Sequence, residues 1–278
     1  MSAVDRRTAP SGYTLGASAR SETAALAPEA DRTAVRLTDV TKVYGSGGRA
    51  VQALDKVSLT VADGEFVCLI GASGCGKSTL LSLVAGLDQV TSGEVSTAGR
   101  RVSLMFQEPA LFPWLTAARN VELALRARGV PRADRQERTR ELLETVRLSG
   151  FGDKRPHELS GGMRQRVAMA RALAQDADVL LMDEPFGALD AMTRDLLHDE
   201  LDRICRERTL TVLFVTHNVR EAARLGDRVI VLSSRPGRVI DEFALPRTGQ
   251  RRIDSAEVAD VAARLTDRLR EEMGRHGH

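Results

Sequence analysis

Residues 66–87 read FVCLIGASGCGKSTLLSLVAGL, and this stretch decides the fold. It begins with FVCLI, which is apolar on both faces and therefore typical of a central strand in a parallel sheet. A glycine-rich loop follows and opens into an amphipathic helix, on which Leu80, Leu83, Val84 and Leu87 are predicted to share one buried face. A strand, a loop and a helix in this order favour an open α/β sheet that binds its ligand at the strand ends.

The loop matches the phosphate-binding pattern G-x-x-x-x-G-K-[ST] from Gly71 to Ser78. Its glycines let backbone amides approach phosphate oxygens closely. Lys77 can reach the β- and γ-phosphates of a nucleotide, and Ser78 can ligate Mg²⁺. We expect the whole loop to hold the nucleotide, that is Gly71, Ala72, Ser73, Gly74, Cys75, Gly76, Lys77, Ser78 and Thr79.

Two other apolar runs are predicted to be buried strands that end beside this loop. VLLM is followed by Asp183 and Glu184, and TLTVLFV leads to His217. Because parallel strands end at one edge of the sheet, we expect Asp183 to bind Mg²⁺ and Glu184 to activate water as a general base. His217 could hydrogen-bond the γ-phosphate. Gln107, after the predicted strand VSLMF, is a further candidate for contact with Mg²⁺ or the attacking water.

Composition excludes several classes of protein. A net charge of +2 gives no reason to expect a nucleic-acid partner. The longest apolar runs are too short to span a bilayer, so any link to a membrane must come through a partner. Three widely spaced cysteines favour a reducing compartment over a disulfide framework.

The chain is expected to divide into three parts. Residues 1–33 lack an apolar core segment and are predicted to be a disordered tail, not a signal peptide. Residues 34–245 are predicted to form the folded domain, with a charged helical insertion at about 108–165. Near its end, VLSSRPGRVIDEF predicts a hairpin that turns at Pro-Gly. Residues 246–278 are predicted to form an extension that carries an amphipathic helix.

The order of these motifs resembles that of the ATP-binding subunits of ABC transporters, from Ala34 to about Phe243. The matching segments are GASGCGKST (Walker A), MFQEP with Gln107 (Q-loop), LSGGMRQ (signature), VLLMDEP (Walker B), GALD (D-loop) and THN (switch histidine). The resemblance implies an α/β fold with a P-loop NTPase core of the ABC ATPase type. An antiparallel β subdomain and a helical subdomain carrying the signature would complete it.

The resemblance also implies partners. Two cassettes, as a homodimer or a paired cassette, would meet head to tail. Ser160, Gly161 and Gly162 of one would then close over the Mg²⁺–ATP of the other, with Asp190 at the interface. Tyr44 lies where the family stacks an aromatic ring on adenine; the alternative is an ordinary surface tyrosine. Separate permease subunits in the membrane, and indirectly a substrate-binding protein, would place the chain at the cytoplasmic face of the membrane as a peripheral subunit.

Two segments resemble the nitrate, sulfonate and taurine importer branch: ALFPWLTAARNV and VLSSRPGRVIDEF. Phe112, Pro113 and Trp114 could form an apolar docking surface for the permease, or Trp114 could belong to the core. Aliphatic sulfonate is the first choice of substrate, with nitrate and taurine next. The stretch TSGEVSTAGRRVSLMFQ is shorter than usual for the family, which predicts a trimmed hairpin in the antiparallel subdomain.

Alternatives remain open from the sequence. The chain could serve another ABC importer or an exporter. DNA-repair and translation-factor ATPases share the cassette, but they carry long coiled-coil insertions or fused cassettes, which are not seen in this sequence. A nucleotide sensor without turnover would be expected to lack Glu184 or His217, and both are present.

Overall fold

A computed structural model describes residues 32–187, 189–245 and 251–276, without the side chains of residues 273, 275 and 276. The tail predicted over residues 1–33 lies outside the described residues, apart from Arg32 and Thr33. Thr33 already begins the first strand. Within the predicted C-terminal extension, residues 246–250, 277 and 278 also lie outside the description.

Strands and helices alternate along most of the described chain. In chain order the elements are β1 (Thr33–Tyr44), β2 (Val51–Ala62), β3 (Phe66–Gly71), α1 (Lys77–Val84), β4 (Ser92–Ser96), β5 (Val102–Met105), α2 (Ala117–Ala127), α3 (Arg132–Thr145), α4 (Gly161–Ala174), β6 (Val179–Asp183), α5 (Ala191–Arg208), β7 (Thr211–Val215), α6 (Val219–Leu225), β8 (Arg228–Leu232), β9 (Val239–Ala244) and α7 (Ala256–His276).

The central sheet has six strands in the order β5-β6-β7-β3-β8-β9. The first five run parallel, while β9 returns antiparallel to β8 and completes the predicted hairpin. Register brings Asp183 beside Val215 and Gly71 beside Leu232. The sheet therefore gathers the ends of β3, β6 and β7 at one edge, as predicted from their apolar runs.

Side chains of β3 alternate between two cores. Phe66, Cys68 and Ile70 pack with the helices on one face, whereas Val67 and Leu69 pack with α1 and the antiparallel strands on the other. Burial on both faces is what makes the β3 sequence continuously apolar. The predicted α/β architecture is confirmed.

A second sheet has three antiparallel strands in the order β2-β1-β4. Only a short turn separates β4 from β5, which fits the trimmed hairpin expected from the sequence. This sheet packs on the core face that also carries α1, beside the loop that follows β3.

One residue that the sequence predicted to be buried is exposed in the structure. Leu80, Leu83 and Val84 are buried as expected, but Leu87 is 63% exposed. The helix ends at Val84, and Gly86 follows with a φ of 69°, so the helical periodicity no longer applies at Leu87.

The segments outside the sheets are mainly helical. In α3 and just after it, Leu142, Leu143 and Val146 are buried, and α7 buries Val258 and Leu265 on one face. All three cysteines are buried. Across residues 32–187, 189–245 and 251–276, no helix is both long and apolar enough to cross a membrane.

Candidate nucleotide-binding site

The phosphate loop connects β3 to α1 and is shaped by close backbone packing. Gly76 is the N-cap of α1 with a φ of 102°. A Cβ at Gly76 would lie 2.6 Å from Leu54 Cδ2 and 2.8 Å from Ala53 O, on β2. A Cβ at Gly71 would lie 2.9 Å from Leu232 O. Both glycines are therefore required by the surrounding chain, before any ligand is considered.

Lys77 is buried within this loop, although lysine is almost never fully buried without partners. Its Nζ donates to Gly71 O at 2.9 Å and to Ala72 O at 3.0 Å, and it lies 3.7 Å from Cys75 Sγ. These bonds hold the ammonium group in the curve of the loop. A cation held there suits the phosphate oxygens of a nucleotide.

Ser78 and Asp183 meet at the start of α1 and the end of β6. Burial raises the pKa of Asp183, partly offset by a hydrogen bond from Ser78, while Glu184 raises the pKa further and Lys77 lowers it. A hydroxyl and a carboxylate are hard oxygen ligands of the kind that Mg²⁺ prefers. Burial disfavours the ionised form of the Asp183 carboxyl group, and a nearby cation would stabilise that form.

Gln107 follows β5, which pairs with β6 so that Met105 lies opposite Met182. Its side chain is exposed at the same edge of the sheet. Within the described chain, no three His, Cys, Asp or Glu side chains form a metal-binding cluster. Mg²⁺ at Ser78, Gln107 and Asp183 requires no such cluster, because phosphate and water oxygens usually complete its coordination.

Glu184 and His217 are in direct contact. Glu184 Oε2 lies 3.0 Å from His217 Nδ1. The backbone holds Glu184 in the left-handed region, with a φ of 43°, and its N–H donates to Val215 O at 3.0 Å. A non-glycine residue rarely adopts this conformation, and such strain concentrates at functional sites. The pair can hold and orient a water molecule or a phosphate oxygen.

Tyr44 ends β1 and is 42% exposed. Its hydroxyl donates to Asp88 Oδ2 at 2.8 Å, and Lys42 Nζ lies 4.7 Å from the centre of its ring. Hydrogen bonds from Lys42 and Tyr44 hold the pKa of Asp88 below its usual range. The Lys42 ammonium covers one face of the ring, so a base could stack only on the other face.

The signature segment begins α4. Ser160 is the N-cap, and its Oγ accepts from Met163 N at 3.2 Å. The hydroxyl proton can still donate to a further acceptor. A Cβ at Gly162 would lie 2.6 Å from Thr193 Cγ2, whereas the nearest atom to one at Gly161 is 3.9 Å away. Gly162 is therefore required by its own chain, which sequence reasoning missed.

Asp190 caps α5 in the same way, with Oδ1 accepting from Thr193 N at 3.0 Å. These hydrogen bonds hold the pKa of Asp190 below its usual range. Thr193 thus joins the start of α4 to the start of α5. No hydrogen bond or ion pair described in the chain connects Ser160 or Asp190 to the phosphate loop. Apart from Tyr44 at the end of β1, the structure brings the predicted site residues together in two groups, one at the sheet edge and one at these helix starts.

A buried network behind His217 was also missed. Thr216 Oγ1 donates to Glu221 Oε2 at 2.6 Å, and Arg194 Nε and His198 Nε2 each lie 3.5 Å from Glu221 Oε1. Arg224 lies 3.3 Å from His198 Nδ1. Because arginine can only donate, Nδ1 must accept, which leaves the imidazole proton on Nε2, facing Glu221. The sequence signal that could have found it is Glu221, which follows His217 by four residues.

A parallel sheet with a lysine-bearing phosphate loop, and an acidic pair at the neighbouring strand end, defines an ATPase of the P-loop class. The ABC transporter family model matches residues 54–187. A taurine import ATP-binding protein of Burkholderia pseudomallei is 48% identical, with 74% of this chain and 82% of that protein aligned. A nitrate import ATP-binding protein of Synechocystis is 44% identical over 77% of this chain and 84% of its own.

Solved structures agree with the sequences. A dimeric ATP-binding cassette in a post-hydrolysis state, bound to ADP and Pi, is 36% identical, with a TM-score of 0.69 over 77% of this chain and 99% of that chain. The chain belongs to the ATP-binding proteins of the ABC transporter family. The predicted ABC ATPase fold, the ATPase activity with ATP and Mg²⁺, and the resemblance to the nitrate, sulfonate and taurine branch are confirmed.

Proposed function

We propose that this chain is the ATP-hydrolysing subunit of an ABC importer for small anions, with aliphatic sulfonates first. The observation that carries the hydrolytic part is the contact of Glu184 with His217, at the edge of the sheet that also carries the phosphate loop. The related taurine protein is the more identical of the two reported relatives, and taurine is itself an aliphatic sulfonate. Nitrate is the next candidate.

Within the site, each residue has a proposed task. The loop from Gly71 to Thr79 binds the phosphates, and Lys77 offsets their charge. Ser78, Asp183 and Gln107 would hold Mg²⁺, which supplies charge stabilisation for phosphoryl transfer. Glu184 accepts a proton from the attacking water, and His217 keeps that carboxylate in position and contacts the γ-phosphate.

We propose that two copies work as a head-to-tail pair. The start of α4 offers the Ser160 hydroxyl and the first amides of a helix, which attract an anion. The described contacts of Ser160 do not reach the phosphate loop of the same chain, which supports a phosphate delivered by the partner copy. Gly161 has room for such an approach, and Asp190 is linked to the neighbouring Gly162 through Thr193.

A rigid aromatic ridge supports docking to a permease. Phe112 and Trp114 have ring centres 5.5 Å apart, and Trp114 is 68% exposed, so the alternative that Trp114 is buried in the core is wrong. Fully buried Asn120 holds the ridge, since its Oδ1 accepts from Phe112 N at 2.8 Å and its Nδ2 donates to Thr116 O at 3.0 Å.

On the other side, Arg171 of α4 donates to Ala110 O at 2.7 Å and Pro109 O at 2.9 Å. An exposed pair of rings on a fixed backbone has the chemistry of an interface anchor. The segment follows Gln107 directly, so movement of a docked permease can reach the nucleotide site. This arrangement supports a peripheral subunit at the cytoplasmic face, where the substrate-binding protein acts only through the permease.

Uptake assays test this proposal. In a strain lacking the chain's gene, the wild-type gene should restore uptake of labelled taurine or an alkanesulfonate, or failing these nitrate. Glu184→Gln should not restore it, because the general base is lost while nucleotide binding remains. Immunoblots must show equal amounts of both proteins. Unchanged uptake of all three anions in the deletion strain would contradict the assignment of substrate.

A further inference from the structure

The turn between β8 and β9 lies directly against the phosphate loop. Arg235 Nε donates to Gly74 O at 3.1 Å. A Cβ at Gly74 would lie 3.2 Å from an Nη atom of Arg235, so the guanidinium also covers that glycine. Arg235 is exposed and takes no part in the site described above. It places a permanent positive charge at the outer side of the loop.

Gly237 of the same turn joins the loop to the antiparallel sheet. Its N–H donates to Ala53 O at 2.9 Å, and its carbonyl accepts from Asp55 N at 3.0 Å. A Cβ at Gly237 would collide with Cys75 O. The turn, the loop and β2 therefore meet at one point, and none of the three can shift without the others.

The C-terminal helix holds the turn from its other side. Glu272 is buried on α7, and its Oε1 accepts from Ser234 N at 3.2 Å. Arg268, also on α7, donates to Asp241 Oδ2 at 2.9 Å and to Ile240 O at 3.3 Å. A chain of contacts thus runs from α7 through Ser234 to Arg235 and the phosphate loop.

The orientation of the peptide between Gly74 and Cys75 links this chain of contacts to the nucleotide site. In a trans peptide the carbonyl and the following N–H point in opposite directions. A Gly74 carbonyl held outward by Arg235 therefore turns the Cys75 N–H inward, where it donates to Ala72 O at 3.3 Å and fixes the curve of the loop. A loop that binds phosphate requires such a curve, because the curve aims its backbone amides at the anion.

We propose that Arg235 is a positioning residue for nucleotide binding, which orients the phosphate loop through Gly74 and is itself held in place by α7 through Glu272. The helix α7 then contributes to nucleotide binding indirectly, through Arg235. Arg235 acts on affinity, because it fixes the backbone curve of the loop that binds phosphate. It does not act on the water or the general base, so turnover at saturation is independent of it.

Arg235→Ala tests the contact, with Arg238→Ala as the matched control. Arg238 lies three residues further along the chain, and its Nε donates to Asp55 Oδ2 at 2.7 Å. Arg235→Ala should raise the KM for ATP and the Kd for a fluorescent ADP about fivefold, the effect of one lost hydrogen bond, with kcat unchanged. Arg238→Ala should leave both constants unchanged.

Ionic strength separates the hydrogen bond from simple charge attraction. The difference between the two variants should persist at high salt, where the effect of an exposed charge is screened. A normal Kd in Arg235→Ala, or an equal rise in Arg238→Ala, would overturn the role of Arg235. The inference rests on ATP binding at the loop. If Lys77→Ala lost ADP binding while Arg235→Ala had no effect, the role of Arg235 would be rejected. The assignment of nucleotide binding to the phosphate loop would remain.

A double-mutant cycle tests the link to α7. Glu272→Ala should raise the Kd for ADP in the wild-type background and add nothing in Arg235→Ala, because both act through one path. Arg268→Ala repeats the test at a half-buried position, in case removal of the buried Glu272 side chain prevents folding. Additive effects of either variant with Arg235→Ala, or no effect of Arg268→Ala, would contradict the link.

Discussion

Gly162 rests against Thr193: a side-chain carbon at Gly162 would lie 2.6 Å from Thr193 Cγ2. The N–H of the same threonine donates to Asp190 Oδ1 at 3.0 Å. The signature segment and the D-loop, which the family uses at its dimer interface, are therefore packed as one unit in this chain. A movement at the start of α4 must be accompanied by the start of α5.

Alanine at the two signature glycines should separate packing from ligand contact. Gly162→Ala should lower the free energy of unfolding by about 1–3 kcal/mol, because the new methyl group overlaps Thr193. Gly161→Ala should fold normally, since its nearest atom is 3.9 Å away, but should weaken ATP-dependent dimerisation. Thermal unfolding and gel filtration with MgATP in a Glu184→Gln background measure the two effects. Equal destabilisation by both changes would contradict the packing argument.

Lys77→Ala should reduce turnover at saturating MgATP by at least ~10²-fold, as expected for loss of one preorganised charge-stabilising donor. The change also removes the two bonds from Nζ to loop carbonyls, so ATP affinity should fall as well. Lys154→Ala is the control, because this exposed lysine pairs only with Glu158 among the described contacts. Phosphate release assays measure the rates. Hydrolysis near the wild-type rate would remove the loop from the mechanism.

Trp114→Ala should leave the ATPase activity and melting temperature of the isolated subunit unchanged, since most of the indole is in water. It should reduce co-purification with the permease at least tenfold, as expected when a central aromatic anchor is removed. Leu87→Ala, at another large exposed apolar side chain, is the control and should retain binding. Normal assembly of Trp114→Ala would place the docking surface elsewhere.

Glu221→Gln should destabilise the protein in a pH-dependent manner. Burial alone would raise the pKa of Glu221, but hydrogen bonds from His198 and Thr216, with the charge of Arg194, lower it below its usual range. Such a carboxylate stabilises the fold above the unfolded pKa of about 4.3, and this contribution disappears as pH falls through the lower folded pKa. The variant should therefore lose about 2 kcal/mol near neutrality.

The gap between wild type and Glu221→Gln should narrow as the solution is acidified below the ordinary glutamate range. Urea unfolding at a series of pH values provides the measurement. Glu144→Gln, at an exposed carboxylate that pairs with Arg140 on α3, should show a negligible gap throughout. A difference that stays constant with pH would show that packing, and not the carboxylate charge, is responsible.

The sequence predicted most of the sheet because its strands are apolar on both faces and end at recognisable polar residues. The loop from Gly71 to Ser78 needs its residue types in a fixed local order, so a short pattern suffices to find it. Leu87 was misplaced because the helix ended one turn before its periodicity suggested. Helix ends depend on local backbone choices that an apolar pattern does not record.

The residues that hold the site and the aromatic ridge in place could not be predicted in the same way. Asn120 below the aromatic ridge, Thr193 against Gly162, and Arg235 against Gly74 are single residues that contact distant segments. A contact of this type leaves no periodic signal, because its partner is chosen by the fold. Exposure of Trp114 was equally undecided, since an aromatic residue after a turn suits a core and an interface alike.

The fixed backbone beneath Phe112 and Trp114 has a consequence for any copy of this chain that lacks the proposed permease. Because Asn120 and Arg171 fix the ridge, the two rings cannot fold inward when no membrane partner is present. Molecules made in excess of the permease would expose this apolar surface, which promotes self-association and chaperone binding. A cell therefore gains from synthesising this chain in step with its transmembrane partner, and a laboratory from co-expressing the two.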